Sequence, residues 1–170
     1  IGSHTIPAQS KTVKGVKLAI SGVVTSTTGS PTVTFKVTDN SGKTIAPVDM
    51  DYLALTLAGP TTDYVNRATE VVYRKAAAGQ PAAPAPKVED AGSGAFRYTF
   101  TYKIPQDATG SYAVGMEGYV MERIEGVKDA VRIAGFNPVT YFALDGKTPT
   151  PRLQVVDRAN CNKCHSSLAL

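Results

Sequence analysis

Apolar and polar residues alternate with a period of two through much of this chain. Val16, Leu18 and Ile20 are each separated by one polar or small residue, and Val33, Phe35 and Val37 repeat the spacing. An extended backbone turns successive side chains to opposite faces, so each run predicts a half-buried strand. Residues 25–30 between them are rich in Thr, Ser and Gly, and Asp39-Asn40-Ser41-Gly42 closes the second run with residues that tolerate turn geometry. Leu53, Leu55 and Leu57 alternate next and stop at Gly59-Pro60, after which residues 65–75 predict a strand interrupted by polar residues.

The clearest alternation is Phe96, Tyr98, Phe100, Tyr102 and Ile104, with Arg97, Thr99, Thr101 and Lys103 on the other face. Aromatic residues at strand spacing are far more often core or cross-strand pairs than a ligand platform. Residues 105–110 then turn the chain into a strand over 112–120, and Asn137-Pro138 precedes a last strand over 139–144. Between the halves, residues 76–94 include Gln80-Pro81-Ala82-Ala83-Pro84-Ala85-Pro86, which removes backbone donors and predicts a long exposed loop.

Short strands separated by turn signals predict an all-β fold, an Ig-like or Greek-key sandwich or a split barrel. Residues 145–151, with Gly146, Pro149 and Pro151, separate this body from the last segment, where Asp157 is positioned to cap a short helix. The expected organisation is a β domain over 1–150 and a cofactor-bearing segment over 151–170.

Composition narrows the function. With 170 residues, 42% hydrophobic and 19% charged, the chain is ordinary for a water-facing globular domain, and no run approaches the roughly 20 apolar residues that cross a bilayer. The net charge of +4 comes without a dense basic cluster, which argues against nucleic acid as partner. Nothing near Ile1 combines a basic patch with a signal-peptide apolar run, so any export signal is expected outside this sequence. Ser21 and Thr38 have no accompanying His and Asp, and His4 and His165 are the only histidines, so a nucleophilic triad is not supported.

Both cysteines fall in Cys161-Asn162-Lys163-Cys164-His165, too close together to staple a sandwich. Cys-x-x-Cys-His places two thiols one turn apart, each able to add to one haem vinyl group, with the adjacent imidazole directed at the iron. Thioether bonds retain haem where a short segment has too little apolar surface to bury it. Cys161 and Cys164 are therefore assigned to covalent attachment of haem c and His165 to the proximal iron position. A zinc half-site, a redox dithiol and a local disulfide use the same two thiols. Zinc wants four ligands, which this chain offers only from distant His4 or carboxylates, and redox dithiols sit naturally in α/β folds. For the distal iron position the candidates are His4, in a terminal Gly2-Ser3-His4 stretch, the thioethers of Met50, Met116 and Met121, and a histidine from outside the chain. The chemistry expected is electron transfer rather than enzymatic turnover; a β module that merely holds a redox neighbour is the alternative.

Several stretches together resemble the N-terminal region of outer-surface multihaem cytochromes of the OmcA/MtrC type. They are Leu57-Ala58-Gly59-Pro60-Thr61-Thr62-Asp63-Tyr64, then Ile104-Pro105-Gln106-Asp107-Ala108-Thr109-Gly110-Ser111-Tyr112-Ala113-Val114-Gly115-Met116-Glu117-Gly118, Asn137-Pro138-Val139-Thr140-Tyr141-Phe142, and Arg152-Leu153-Gln154-Val155-Val156-Asp157 leading into Cys161. The resemblance implies an exported protein of the cell surface, outer membrane or extracellular space that passes electrons to metal oxides, flavins or partner cytochromes. It also implies a split-barrel domain ahead of a haem domain, with later histidines completing the iron coordination. Cys161, Cys164 and His165 match the family's first haem site. The family has many Cys-x-x-Cys-His motifs and this chain one, so it is expected to be part of a longer cytochrome, or to assemble with neighbouring chains.

Overall fold

The computed structural model describes residues 13–25, 29–153 and 160. Nine strands follow in order: β1 (Lys17–Thr25), β2 (Pro31–Thr38), β3 (Tyr52–Gly59), β4 (Asn66–Arg74), β5 (Glu89–Gly92), β6 (Ala95–Thr99), β7 (Ser111–Glu122), β8 (Val131–Ala134) and β9 (Val139–Ala143). They form two antiparallel sheets. The first runs β1-β2-β6-β5, and the second runs β4-β3-β7-β8, with β9 also paired to β7. Ser111 to Gly115 of β7 pair with β9, and Tyr119 to Glu122 of the same strand pair with β8, so β8 and β9 share one edge in tandem. The chain crosses between sheets after β2, β4 and β6, which makes the architecture an all-β sandwich whose two sheets are not closed into one ladder.

Alternation explains most of the core, although Ala54 and Ala113, on the opposite face of their strands, are buried as well. Val33, Phe35 and Val37 of β2 face Leu53, Leu55 and Leu57 of β3 and Tyr112, Val114 and Met116 of β7, and all nine are essentially inaccessible. Each such side chain contributes about 2 kcal/mol by leaving water. Two seams join the sheets at their edges. At one, Gly135 lies against the Leu18 side chain and the Val16 carbonyl of the β1 edge, where any Cβ would collide. At the other, Glu70 of β4 points inward and accepts from the Tyr98 hydroxyl of β6 and from the residues that follow that strand.

Four features depart from the alternation pattern. The polar-interrupted stretch is a full strand, β4, in which a bulge opposite Leu53 and Ala54 leaves Val72 unpaired and turned into the core. The Pro-rich stretch is extended as expected, but its end forms β5, a short edge strand returned by the positive-φ turn Gly92-Ser93-Gly94. The aromatic alternation outruns its strand: β6 ends at Thr99, although Phe100 and Ile104 stay buried and donate to the Pro31 and Gly29 carbonyls. The amides of Thr101 and Tyr102 leave the ladder because the Glu70 carboxylate takes them, at 2.9 and 2.8 Å. Finally, β8 forms where the sequence shows only Val131 and Ile133 alternating.

Candidate functional site

The motif residues Cys161, Cys164 and His165, the candidate ligand His4 and the helix cap Asp157 lie outside the described residues. What is described is the stretch that precedes the motif segment, a mount held against the second sheet. After β9 the chain turns at Asp145-Gly146, with Asp145 Oδ1 accepting from the Lys147 amide at 3.1 Å, and runs back across the end of the second sheet. There Thr150 is held on both sides: its N–H donates to Ser111 Oγ at 2.8 Å, and its carbonyl accepts from Thr61 Oγ1 at 2.8 Å. Ser111 and Thr61 are themselves joined, Thr61 N–H to Ser111 carbonyl, at 2.7 Å. Both side chains are buried, and each has the hydrogen-bond partner a buried hydroxyl requires.

The turn that supplies Thr61 is shaped by the strand before it. Gly59, at the end of β3, lies flat against the Tyr112 ring with no room for a Cβ, and a cis peptide leads to Pro60. The Pro60 carbonyl accepts from the amides of Asp63 (3.2 Å) and Tyr64 (2.8 Å), the latter in the left-handed region at φ 58°. Tyr64 meets the hydroxyl of Tyr141 on β9, and the Arg152 guanidinium lies 4.7 Å above the Tyr64 ring centre. Burial, with the Tyr141 hydroxyl beside it, pushes the Tyr64 phenol above its ordinary pKa. Thr150 and Arg152 thus tie residues 150–152 to the end of the sandwich, and Leu153 beyond them is 82% exposed.

The methionines divide. Met50 and Met116 are fully enclosed in the core and cannot reach an iron outside the barrel. Met121 is 43% exposed, but it lies near the far end of β7, where its amide donates to Asp51. At about 3.3 Å per residue, that end is roughly 30 Å from Ser111 and the mount. A cleft of about 370 Å³ opens at the Met121 end, but its walls are Lys14, Asp39, Lys43, Asp51, Lys75 and Glu122, a mixed-charge lining unsuited to an apolar macrocycle. Among the described residues no cluster of His, Cys, Asp and Glu is arranged to hold a metal ion. The cleft among the described residues thus does not suit a haem, and the Cys-x-x-Cys-His segment lies outside them.

No family model matches the chain, and no curated protein does. Solved structures do match. The chain is similar to MtrC from Shewanella baltica OS185, with a TM-score of 0.61 and 14% identity, over 91% of this chain and 28% of that one. It is similar too to the outer membrane decaheme cytochrome OmcA, with a TM-score of 0.50 and 16% identity, over 91% of this chain and 27% of that one. The fold is shared with a part of both. At these identities the likeness establishes architecture, and the chain spans less than a third of either protein. It bears out the expected all-β fold of the OmcA/MtrC kind; the haem motif stands on its own residues. Among the described residues no helix is long and apolar enough to cross a membrane.

Sequence reasoning did not assign the Thr61, Ser111, Tyr64 and Arg152 mount a role, although all four stand in the stretches that carry the family resemblance. Their only local signal is a buried-strand pattern ending in a hydroxyl residue.

Proposed function

We propose that this chain is the β domain and first haem-attachment segment of an exported multihaem c-type cytochrome that transfers electrons at the outer membrane or outside the cell. The observation that carries the reading is the joint occurrence of a Cys-x-x-Cys-His motif eight residues beyond Leu153 and a fold shared with an outer membrane decaheme cytochrome. In this reading Cys161 and Cys164 form the thioether bonds and His165 the proximal iron bond. Haem c, once bound there, supplies a one-electron Fe(III)/Fe(II) couple. The protein's own part is mechanical: the Thr61–Ser111–Thr150 bonds and the Arg152–Tyr64 contact fix the departure of the segment, so its reach beyond Leu153 is limited to about 28 Å by eight extended residues. The distal iron ligand comes from outside this chain, and so do the neighbouring haems, partner cytochromes and extracellular acceptors that a conducting route requires.

The alternative is a β module that holds a redox neighbour and carries no haem itself; the densely filled core, which leaves no room for a cofactor inside the barrel, is compatible with it. Expression with export and the cytochrome maturation machinery, followed by intact mass and a reduced visible spectrum, separates the two. A covalent haem mass increment that disappears in the Cys161→Ser, Cys164→Ser double variant supports the first. An unmodified mass with no c-type absorption bands overturns it.

A further inference from the structure

The outer face of the second sheet has a composition that sheet stability does not require. Across its far end four flat groups form a row over β4, β3, β7 and β8, three of them in register and Arg132 reaching in diagonally from its place opposite Met121. Arg74 lies 5.0 Å from the Tyr52 ring centre, Tyr52 stacks on Tyr119 at 5.6 Å and 24°, and Arg132 lies 4.2 Å from the Tyr119 ring centre. The register explains the ribbon, since Tyr52 pairs with Arg74 on one side and Tyr119 on the other. At the near end Arg152, Tyr64 and Tyr141 form a second rib. Between the ribs the floor is made by Ala54, Thr56 and Gly115, which present little side chain, with Glu117 beside the far rib where it is bonded to the Tyr52 hydroxyl. Six residue steps along β7 take Ala113, the partner of Tyr141, to Tyr119, so the trough is about 20 Å long. That is wide enough for one loop or one helix of a partner.

Charge and polarity say what kind of partner. Arg67 and Arg74 on β4, Arg132 on β8 and Arg152 in the mount outnumber the carboxylates near this face: Glu117, which accepts from the Tyr52 hydroxyl at 3.2 Å, Asp63 in the turn before Tyr64, and Asp145, which is paired with Lys147. Val71 and Val139, 46% and 50% exposed, flank the trough with apolar surface. Tyr and Arg around small and apolar residues is the composition of binding hot spots, and planar guanidinium groups favour carboxylates. A second copy of this chain is disfavoured, since a two-fold contact through this face would set arginine against arginine.

We propose that the outer face of the second sheet is a docking surface for a protein partner with an acidic patch, which inserts a carboxylate-bearing loop or helix between the two aromatic–arginine ribs. The docking needs no haem on this chain, so its test is independent of the electron-transfer reading.

The probe is cytochrome c in two forms, native and basic, or with its lysines succinylated and so acidic, with binding to the complete chain followed by calorimetry. The acidic form is expected to bind, weakening at least about tenfold as salt shortens the screening length, and the basic form not to bind. Arg74→Glu with Arg132→Glu is expected to weaken binding by about tenfold or more. Lys17→Glu with Lys36→Glu, on the outer face of the first sheet, is expected to change it less than about twofold. If the double Arg variant fails to fold, Arg67→Glu, outside the stacked ribbon, is expected to weaken binding about threefold. Equal loss from the first-sheet variants, no binding of the acidic probe, or binding of anionic phospholipid vesicles in its place overturns the proposal.

Discussion

Glu70 is the side chain on which the second seam depends, and its geometry gives a quantitative expectation. Each carboxylate oxygen accepts two bonds: Oε2 from the Tyr98 hydroxyl at 2.7 Å and the Thr101 amide at 2.9 Å, Oε1 from the Thr101 hydroxyl at 2.7 Å and the Tyr102 amide at 2.8 Å. In Glu70→Gln one oxygen becomes an NH2 group. Whichever oxygen is replaced, the hydroxyl facing it can reverse and accept, but the backbone N–H facing it cannot. At most three of the four contacts survive, none of them to a charge, and one amide is left against a donor. With about 1.5–3 kcal/mol per bond to a charged group, the loss is about 2 kcal/mol for Gln. For Ala it is about 3 kcal/mol, limited because Thr101 is exposed and its amide regains water. Burial raises the Glu70 pKa, but the bonds from Thr101, Tyr98 and Tyr102 outweigh it and hold the group below its ordinary 4.5. A folded pKa below the unfolded one means that the stabilisation is complete above about pH 4.5 and is lost as pH falls through the folded value. Urea unfolding at a series of pH values should therefore show a wild-type advantage over Gln that is constant from neutral pH down to about 4.5 and shrinks below it. A Gln variant as stable as wild type at neutral pH, or a gap that stays constant into strong acid, would refute the clamp.

The mount makes a local prediction: Ser111→Ala removes the acceptor of the Thr150 amide, and hydrogen exchange at Thr150 should accelerate at a global cost of only about 1 kcal/mol. Gly59→Ala drives a Cβ into the Tyr112 ring, and thermal unfolding should show a loss of about 3 kcal/mol. Met50→Ala and Met116→Ala open cavities in a filled core and should each cost about 2–5 kcal/mol, whereas Met50→Leu and Met116→Leu should leave both the fold and the visible spectrum of the haem-loaded protein unchanged.

Alternation made β1, β2, β3, β7 and β9 legible because in those strands burial and pairing coincide. They part company after Thr99: Phe100 and Ile104 keep the period because they are buried, while a carboxylate from another strand has taken the intervening amides. Period two reports which side chains face the core, and ladder membership is a separate matter of backbone partners. The short edge strands β5 and β8 illustrate the converse. Glu89–Gly92 has no apolar signal and is held by the backbone of β6 and a turn of positive-φ residues. Glu70 reads in sequence as a polar break in a strand, because its four donors lie about 30 residues away. The same asymmetry governs the candidate site. Cys-x-x-Cys-His is legible since its chemistry is set by spacing within five residues. Its mount depends on contacts between residues 89 and 39 positions apart, which no local pattern encodes.

That mount also bears on the distal ligand. The chain enters the described body at Val13 beside Lys14, whose amide donates to Glu122 at the far end of β7, and leaves it at Leu153, just past the Thr150 bonds to Ser111 at the near end. β7 has 12 residues, so the two points are separated by about 36 Å. His4 lies nine residues before Val13, about 30 Å of extended chain, and Cys161 eight residues past Leu153, about 28 Å, so the two can meet across the sheet, but only by ordering much of both segments. Ordering those residues costs about 1 kcal/mol each in backbone entropy, several times what a loosely held ligand would return. A histidine supplied beyond this chain, near the exit point, bears no such cost. His4→Ala in the haem-loaded protein is accordingly expected to leave a low-spin visible spectrum unchanged. Conversion to a high-spin spectrum that binds carbon monoxide would show that the N-terminal segment does reach the haem, and would return His4 to the iron.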